Sequence, residues 1–148
     1  MTHLPPGDIA QAAKEARLLG AQIVVVHGET IVEPVMPGTN LKALESEIDI
    51  LAHPGLITED EIKLAKARGI YLELTTRKGH SFTNGHVAQC AIKYGARLIL
   101  NTDSHSPSDL IDLSFAQKIA LGAGLSETEF LSLMQNSQEL LIKVTSCG

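Results

Sequence analysis

The sequence is poor in cysteine and in aromatic residues, and each shortage argues against a class of protein. Two cysteines in 148 residues do not suggest a disulfide framework or a cysteine-rich metal site. Two tyrosines, three phenylalanines and no tryptophan count against a platform on which nucleic-acid bases stack. The six histidines are the more notable feature, because most of them lie at or just after predicted strand ends.

Basic residues and long apolar runs are also scarce. Twelve basic and 17 acidic residues give a formal net charge of −5, which makes nucleic acid and membrane surfaces unexpected partners but permits a local phosphate pocket. No apolar run approaches the roughly 20 residues that cross a bilayer, and the first residues lack the pattern of a signal peptide. We therefore expect a cytoplasmic protein.

Short apolar segments alternate with helical patterns along the chain. Four of these segments are partly β-branched and mostly continuous, which is typical of buried parallel strands: residues 23–26, 48–52, 70–74 and 98–100. The alternation predicts an α/β fold with a parallel sheet, either open or closed into a barrel. No linker interrupts the pattern, so we expect a single domain over residues 1–148.

Capping residues predict where the helices between these strands begin and end. A first helix occupies residues 8–19, and the others are bounded by residue pairs that favour helix ends: Thr58 and Gly69, Asn84 and Gly95, Asp109 and Gly122, with a last helix opening at Ser126.

Each predicted strand runs directly into polar residues. His27 follows the first strand, His53 the second, Arg77 the third, and Asp103 and His105 the fourth. The carboxyl ends of parallel strands share one rim, where ligand sites are built. We therefore expect three imidazoles and a carboxylate to converge there, with Arg77 nearby.

Asp103 and His105 form an Asp-x-His pair whose side chains point to the same side if the chain stays extended. A carboxylate beside a neutral imidazole suits a divalent transition metal such as zinc, manganese or iron. The alternative is that Asp103 caps the following turn and His105 is a loop residue. Similarly, His53 in His-Pro-Gly is either a ligand held at the rim or a turn residue.

His27 follows a run of apolar residues, so its ring needs a partner, and a metal is one of several. Glu29 is a ligand, a group that orients His27, or a solvated acid. Residues 77–80 form the compact basic cluster of the sequence, in which Arg77 and Lys78 are candidate phosphate-binding groups and His80 is a weaker metal-site candidate. The alternative for this segment is a solvated basic loop.

Four segments together resemble the PHP (polymerase and histidinol phosphatase) superfamily: VVVHGETIVEPV (24–35), DILAHPG (49–55), LELTTRKGH (72–80) and LNTDSH (100–105). The resemblance implies a distorted TIM-like (β/α)7 barrel with a metal cluster at its C-terminal rim. It places four residues at metal-ligand positions, His27, His53, Asp103 and His105. It also places Arg77 and Lys78 near a substrate phosphate.

The resemblance further implies a metal-dependent phosphoesterase in which metal-activated water attacks a small phosphorylated substrate. The His-x-His motif that opens such domains is absent, so we expect an incomplete barrel, N-terminally truncated relative to the superfamily. Activity would then require a homo-oligomer, a partner chain or further residues to complete the barrel. The alternatives are a non-catalytic metal-binding or assembly subunit, and an open α/β anion-binding module whose histidines bind nothing.

Overall fold

Four apolar segments form one parallel sheet within residues 4–145, which are the part of the chain that this computed structural model describes. Each strand lies beside its neighbour in sequence, so the spatial order is β1-β2-β3-β4. The strands are β1 (Val25–His27), β2 (Ile50–Ala52), β3 (Tyr71–Thr75) and β4 (Leu98–Asn101). The register aligns Val26 with Leu51, Leu51 with Leu72, and Leu72 with Leu98.

Helices fill the connections and follow the last strand. They are α1 (Ile9–Leu18), α2 (Thr39–Leu44), α3 (Glu59–Arg68), α4 (Asn84–Tyr94), α5 (Leu113–Gly122) and α6 (Glu127–Thr145), with short 3₁₀ turns at Pro6–Asp8, His80–Thr83 and Pro107–Asp109. None of these described helices has the length and apolarity needed to cross a membrane.

The two central strands carry the core. Every residue of β2 and β3 is buried, and Leu51, Leu72 and Leu74 are completely inaccessible to solvent. They join a large apolar cluster with residues from the helices, whereas Ile50, Tyr71 and Ile99 form a smaller cluster that α6 covers through Leu140. Successive residues of a strand point to opposite faces, so the sheet is packed on both sides.

The predicted parallel α/β fold is confirmed, but the incomplete (β/α)7 barrel is not what the described residues form. Their four strands make an open sheet, with β1 and β4 at its edges. Open and closed parallel sheets share the same alternation of strands and helices, so the sequence pattern does not distinguish them. The extent of the domain over residues 1–148 stays a prediction.

The predicted helix ends are confirmed for α3, where Thr58 and Glu61 form a reciprocal capping box and Gly69 ends the helix in the left-handed conformation. Gly95 ends α4 in the same way. The predicted start of α5 at Asp109 is wrong. The helix is capped by Asp112, whose side chain accepts a hydrogen bond from the Phe115 backbone N–H at 2.7 Å.

Gly55 lies where the loop after β2 meets the loop after β1. Its φ is +64°, and a Cβ atom there would lie 1.8 Å from the backbone oxygen of Glu29. Gly69 has nearly the same φ, +67°, but nothing lies within 4 Å of the corresponding position. An alanine at either position adopts the same unfavourable backbone conformation, but only at Gly55 does its methyl group also clash with the backbone.

We expect Gly69→Ala to lower the free energy of unfolding by about 1–2 kcal/mol, the cost of a left-handed alanine. Gly55→Ala should lose about 1–3 kcal/mol more, because the added methyl group displaces backbone. Urea unfolding followed by circular dichroism measures both. Equal losses would show that the contact with Glu29 does not constrain these loops.

Candidate metal centre

Three histidines meet beyond the carboxyl ends of β1, β2 and β3. His27 is the last residue of β1, His53 follows β2, and His80 lies in the 3₁₀ turn after β3. Each offers a nitrogen within 4.8 Å of those offered by the other two. The ring centroid of His53 is 4.3 Å from that of His27 and 4.6 Å from that of His80. We call these residues the histidine cluster.

His53 is fixed by a buried carboxylate. Its backbone N–H and ring Nδ1 both donate to Glu73 Oε2, at 3.1 and 2.9 Å, while Glu73 Oε1 accepts from the Asn101 side-chain amide at 2.8 Å. An ionised carboxylate only accepts, so the ring proton is assigned to Nδ1. His53 Nε2 is left with a lone pair and, among residues 4–145, no hydrogen-bond partner.

His27 offers the corresponding nitrogen. Its Nδ1 lies 2.9 Å from the backbone oxygen of Gly28, which can only accept, so a ring proton is assigned to Nδ1. Its Nε2 lies 3.3 Å from Glu33 Oε2. His27 and His53 therefore both present Nε2, the arrangement that hydrogen-bonded metal-ligating histidines adopt.

His80 is only 4% exposed, and burial lowers the pKa of its imidazole, with the neighbouring His53 adding to the effect. The ring is therefore neutral at pH 7 and able to donate electrons to a metal. Neither of its nitrogens has a hydrogen-bond partner among the described residues, although Nε2 lies 3.2 Å from Glu33 Oε1. A buried nitrogen without a partner is costly, and a metal ion would supply that partner.

Glu33 was not predicted from the sequence. It lies six positions after His27, in a loop without periodicity, and the only signal was an acidic residue shortly after a strand end. Glu29, which was predicted, holds the same loop in place. Glu29 Oε1 accepts from the Asn40 backbone N–H at 2.9 Å, and the Asn40 side chain donates to the Pro54 oxygen at 2.8 Å.

The structure places Asp103 and His105 with Arg77, outside the histidine cluster. Arg77 Nη1 lies 2.9 Å from Asp103 Oδ2 and 2.8 Å from His105 Nδ1. Asp103 has a φ of +47°, so the chain turns there instead of staying extended. The following turn is capped by Ser106 and Asp109, so Asp103 does not have that role. Lys78 is exposed on the loop that carries Arg77.

Three imidazoles beside a carboxylate are a donor set for a first-row transition metal. Imidazole nitrogen suits zinc, iron and manganese better than calcium or magnesium, which favour oxygen. Two features of the described residues fit such an ion: the unpartnered nitrogens of His53 and His80, and the carboxylate that fixes the ring of His53.

The lowered pKa of His80 gives the metal-free protein a pH-dependent stability. A histidine that resists protonation when folded stabilises the fold fully above its ordinary pKa of 6.5, and this stabilisation is lost as pH falls from 6.5 towards the folded pKa. With a chelator present, we expect the free energy of unfolding to fall between pH 7.5 and 5.5 by less in His80→Gln than in the unaltered protein. Equal decreases in urea titrations would contradict this assignment.

Comparisons with known proteins give one relative in sequence and a similarity of fold to a solved structure. No family model matches the chain. Over 146 residues the chain is 49% identical to the uncharacterized protein MJ1295 of Methanocaldococcus jannaschii, an alignment that covers 97% of this chain and 67% of the relative. Its fold is similar to that of a chain in the cryo-EM structure of archaeal ribonuclease P with mature tRNA, with a TM-score of 0.64 at 16% identity. That similarity covers 94% of this chain but only 64% of the solved one.

These comparisons overturn three predictions. Assignment to the PHP superfamily is wrong, because no family model matches and the structural similarity is to a chain of a ribonuclease P structure. The metal-dependent phosphoesterase function and the barrel that depended on that assignment are wrong with it. Histidines and acids at strand ends occur in many parallel α/β proteins, so the short motifs did not specify a superfamily.

The prediction that nucleic acid is an unlikely partner is also corrected. The solved structure with the similar fold is a complex of protein and RNA. The prediction relied on the net charge of −5, which sums over the whole molecule and does not describe any one surface.

Proposed function

The chain belongs to the family of the uncharacterized protein MJ1295 of Methanocaldococcus jannaschii, and we propose that it is a metal-binding, non-catalytic subunit of a cytoplasmic RNA-processing complex. The histidine cluster carries the metal-binding part of this proposal. The similarity of fold to a chain of archaeal ribonuclease P supports the RNA-processing part.

The energetic argument for a metal begins with His53 and His80. Both are buried, with 4% of their surface exposed, and three of their four ring nitrogens have no hydrogen-bond partner among the described residues. Leaving a buried polar group without a partner costs about 1–3 kcal/mol. A transition metal that accepts electrons from His27, His53 and His80 would remove this cost.

The remaining predicted site residues have roles in the RNA-binding part of the proposal. Lys78 is exposed and Arg77 partly exposed on the loop after β3, so this loop can contact phosphate groups of an RNA. Asp103 and His105 stay predicted metal ligands. In the arrangement that the structure describes, they hold the guanidinium of Arg77 instead.

Metal analysis tests the cluster. We expect the protein, equilibrated with zinc, manganese or iron and then desalted, to retain one equivalent of a transition metal. His53→Ala and His80→Ala should lose it, because each removes a buried donor nitrogen. His86→Ala is the matched control, since His86 Nε2 bonds to the Ile57 backbone oxygen away from the cluster. Retention in the cluster variants, or no retention in the unaltered protein, would refute the metal site.

Binding of transfer RNA precursors tests the RNA-processing part. We expect fluorescence anisotropy to show salt-dependent binding, and Lys78→Glu should weaken it. The slope of log Kd against log salt concentration should decrease by about one, because one phosphate contact is lost. Lys66→Glu is the control, because Lys66 lies beside Gly95, near the amino ends of the strands and away from the loop of Lys78. No binding at low salt, or equal weakening by both variants, would contradict the proposed surface.

A further inference from the structure

The carboxylate of Glu33 spans two members of the histidine cluster. Its Oε2 lies 3.3 Å from His27 Nε2, and its Oε1 lies 3.2 Å from His80 Nε2. Each oxygen therefore faces a different imidazole. The side chain is 28% exposed, so Glu33 forms the solvent side of a cluster whose inner side is buried.

Two loops hold Glu33 in this position. The Val35 backbone N–H donates to the Glu33 backbone oxygen at 2.8 Å, and Pro34 restricts the backbone conformation of Glu33. The neighbouring Val32 packs against the loop that carries His80, where a Cβ on Gly79 would lie 3.6 Å from Val32 Cγ1. The loops after β1 and β3 thus bring the carboxylate and His80 together.

The facing atoms are two imidazole nitrogens and two carboxylate oxygens, the atoms through which histidine and glutamate bind transition metals. His27 Nδ1 lies against the Gly28 backbone oxygen, so Nε2 is the nitrogen that faces Glu33. His80 Nε2 has no hydrogen-bond partner among the described residues, although it lies 3.2 Å from Glu33 Oε1. A metal ion bound at about 2.0–2.2 Å by one nitrogen and one oxygen in tetrahedral geometry holds those two atoms about 3.3 Å apart, which matches both contacts. The alternative is a second proton on a ring, which makes each contact an ion pair.

We infer that Glu33 is the fourth ligand of the metal site, and that it closes the site to solvent. This inference rests on the proposed function, since it requires that the cluster binds a metal. Structural zinc sites have four protein ligands, whereas catalytic sites keep one position open. Three imidazoles and Glu33 fill all four positions, so the metal would hold the loops after β1, β2 and β3 together and leave no position for a substrate.

Cobalt spectroscopy distinguishes a closed site from an open one. Co²⁺ is bound by the same ligands as zinc, and its visible bands report the number of ligands around it. We expect the spectrum of the Co²⁺ protein to be unaffected by excess azide. Glu33→Gln and Glu33→Ala should bind Co²⁺ at least about tenfold more weakly, and their spectra should change when azide occupies the vacated position.

Glu45→Gln is the matched control, because Glu45 pairs with Lys42 on the surface and should leave affinity and spectrum unaltered. A spectral change on adding azide to the unaltered protein would overturn the inference. Glu33→Gln with the affinity and spectrum of the unaltered protein would also overturn it, because Glu33 would then be an ion-pair partner only. If the unaltered protein does not bind Co²⁺, the proposed metal site itself is refuted, and this result is obtained before azide is added.

Discussion

The buried carboxylate of Glu73, on the central strand β3, determines how the carboxyl edge of the sheet is built. A carboxylate that is only 4% exposed has to have its oxygens hydrogen-bonded. Glu73 meets this requirement through the backbone and ring of His53 and the amide of Asn101. The same hydrogen bonds join the ends of β2, β3 and β4 and direct His53 Nε2 towards the other histidines. Stability of the edge and geometry of the cluster therefore depend on one residue.

Two asparagines extend this framework into the loops. Asn40 bonds to the Glu29 backbone N–H and to the Pro54 oxygen, which joins the loops after β1 and β2. Asn84 accepts from the Thr75 backbone N–H and donates to the Thr75 oxygen, which attaches the start of α4 to the end of β3. Because both asparagines are buried, these bonds are costly to break. The loops that carry the cluster are thereby held by buried side chains as well as by the backbone.

The sequence predicted those parts of the fold and site that depend on local pattern. Apolar runs indicated the strands, and the strand ends located His27 and His53 at one edge. It did not identify Glu33, and it ranked His80 low, because their positions are set by contacts between loops. The side-by-side arrangement expected of Asp103 and His105 assumed an extended chain, whereas Asp103 has a φ of +47°. Backbone turns of this kind leave little trace in a single sequence.

A metal would also reconcile the acidic composition of the chain with an RNA partner. The edge that carries the cluster has Glu33 and Asp103 as well as Arg77 and Lys78, and Arg77 is paired with Asp103. These acids and basic groups therefore balance in formal charge. A divalent cation bound by the histidine cluster would add positive charge at the carboxyl ends of the strands, partly offset by Glu33. The two parts of the proposal are then coupled, because the same ion would join the loops and favour phosphate at the edge that carries Arg77 and Lys78.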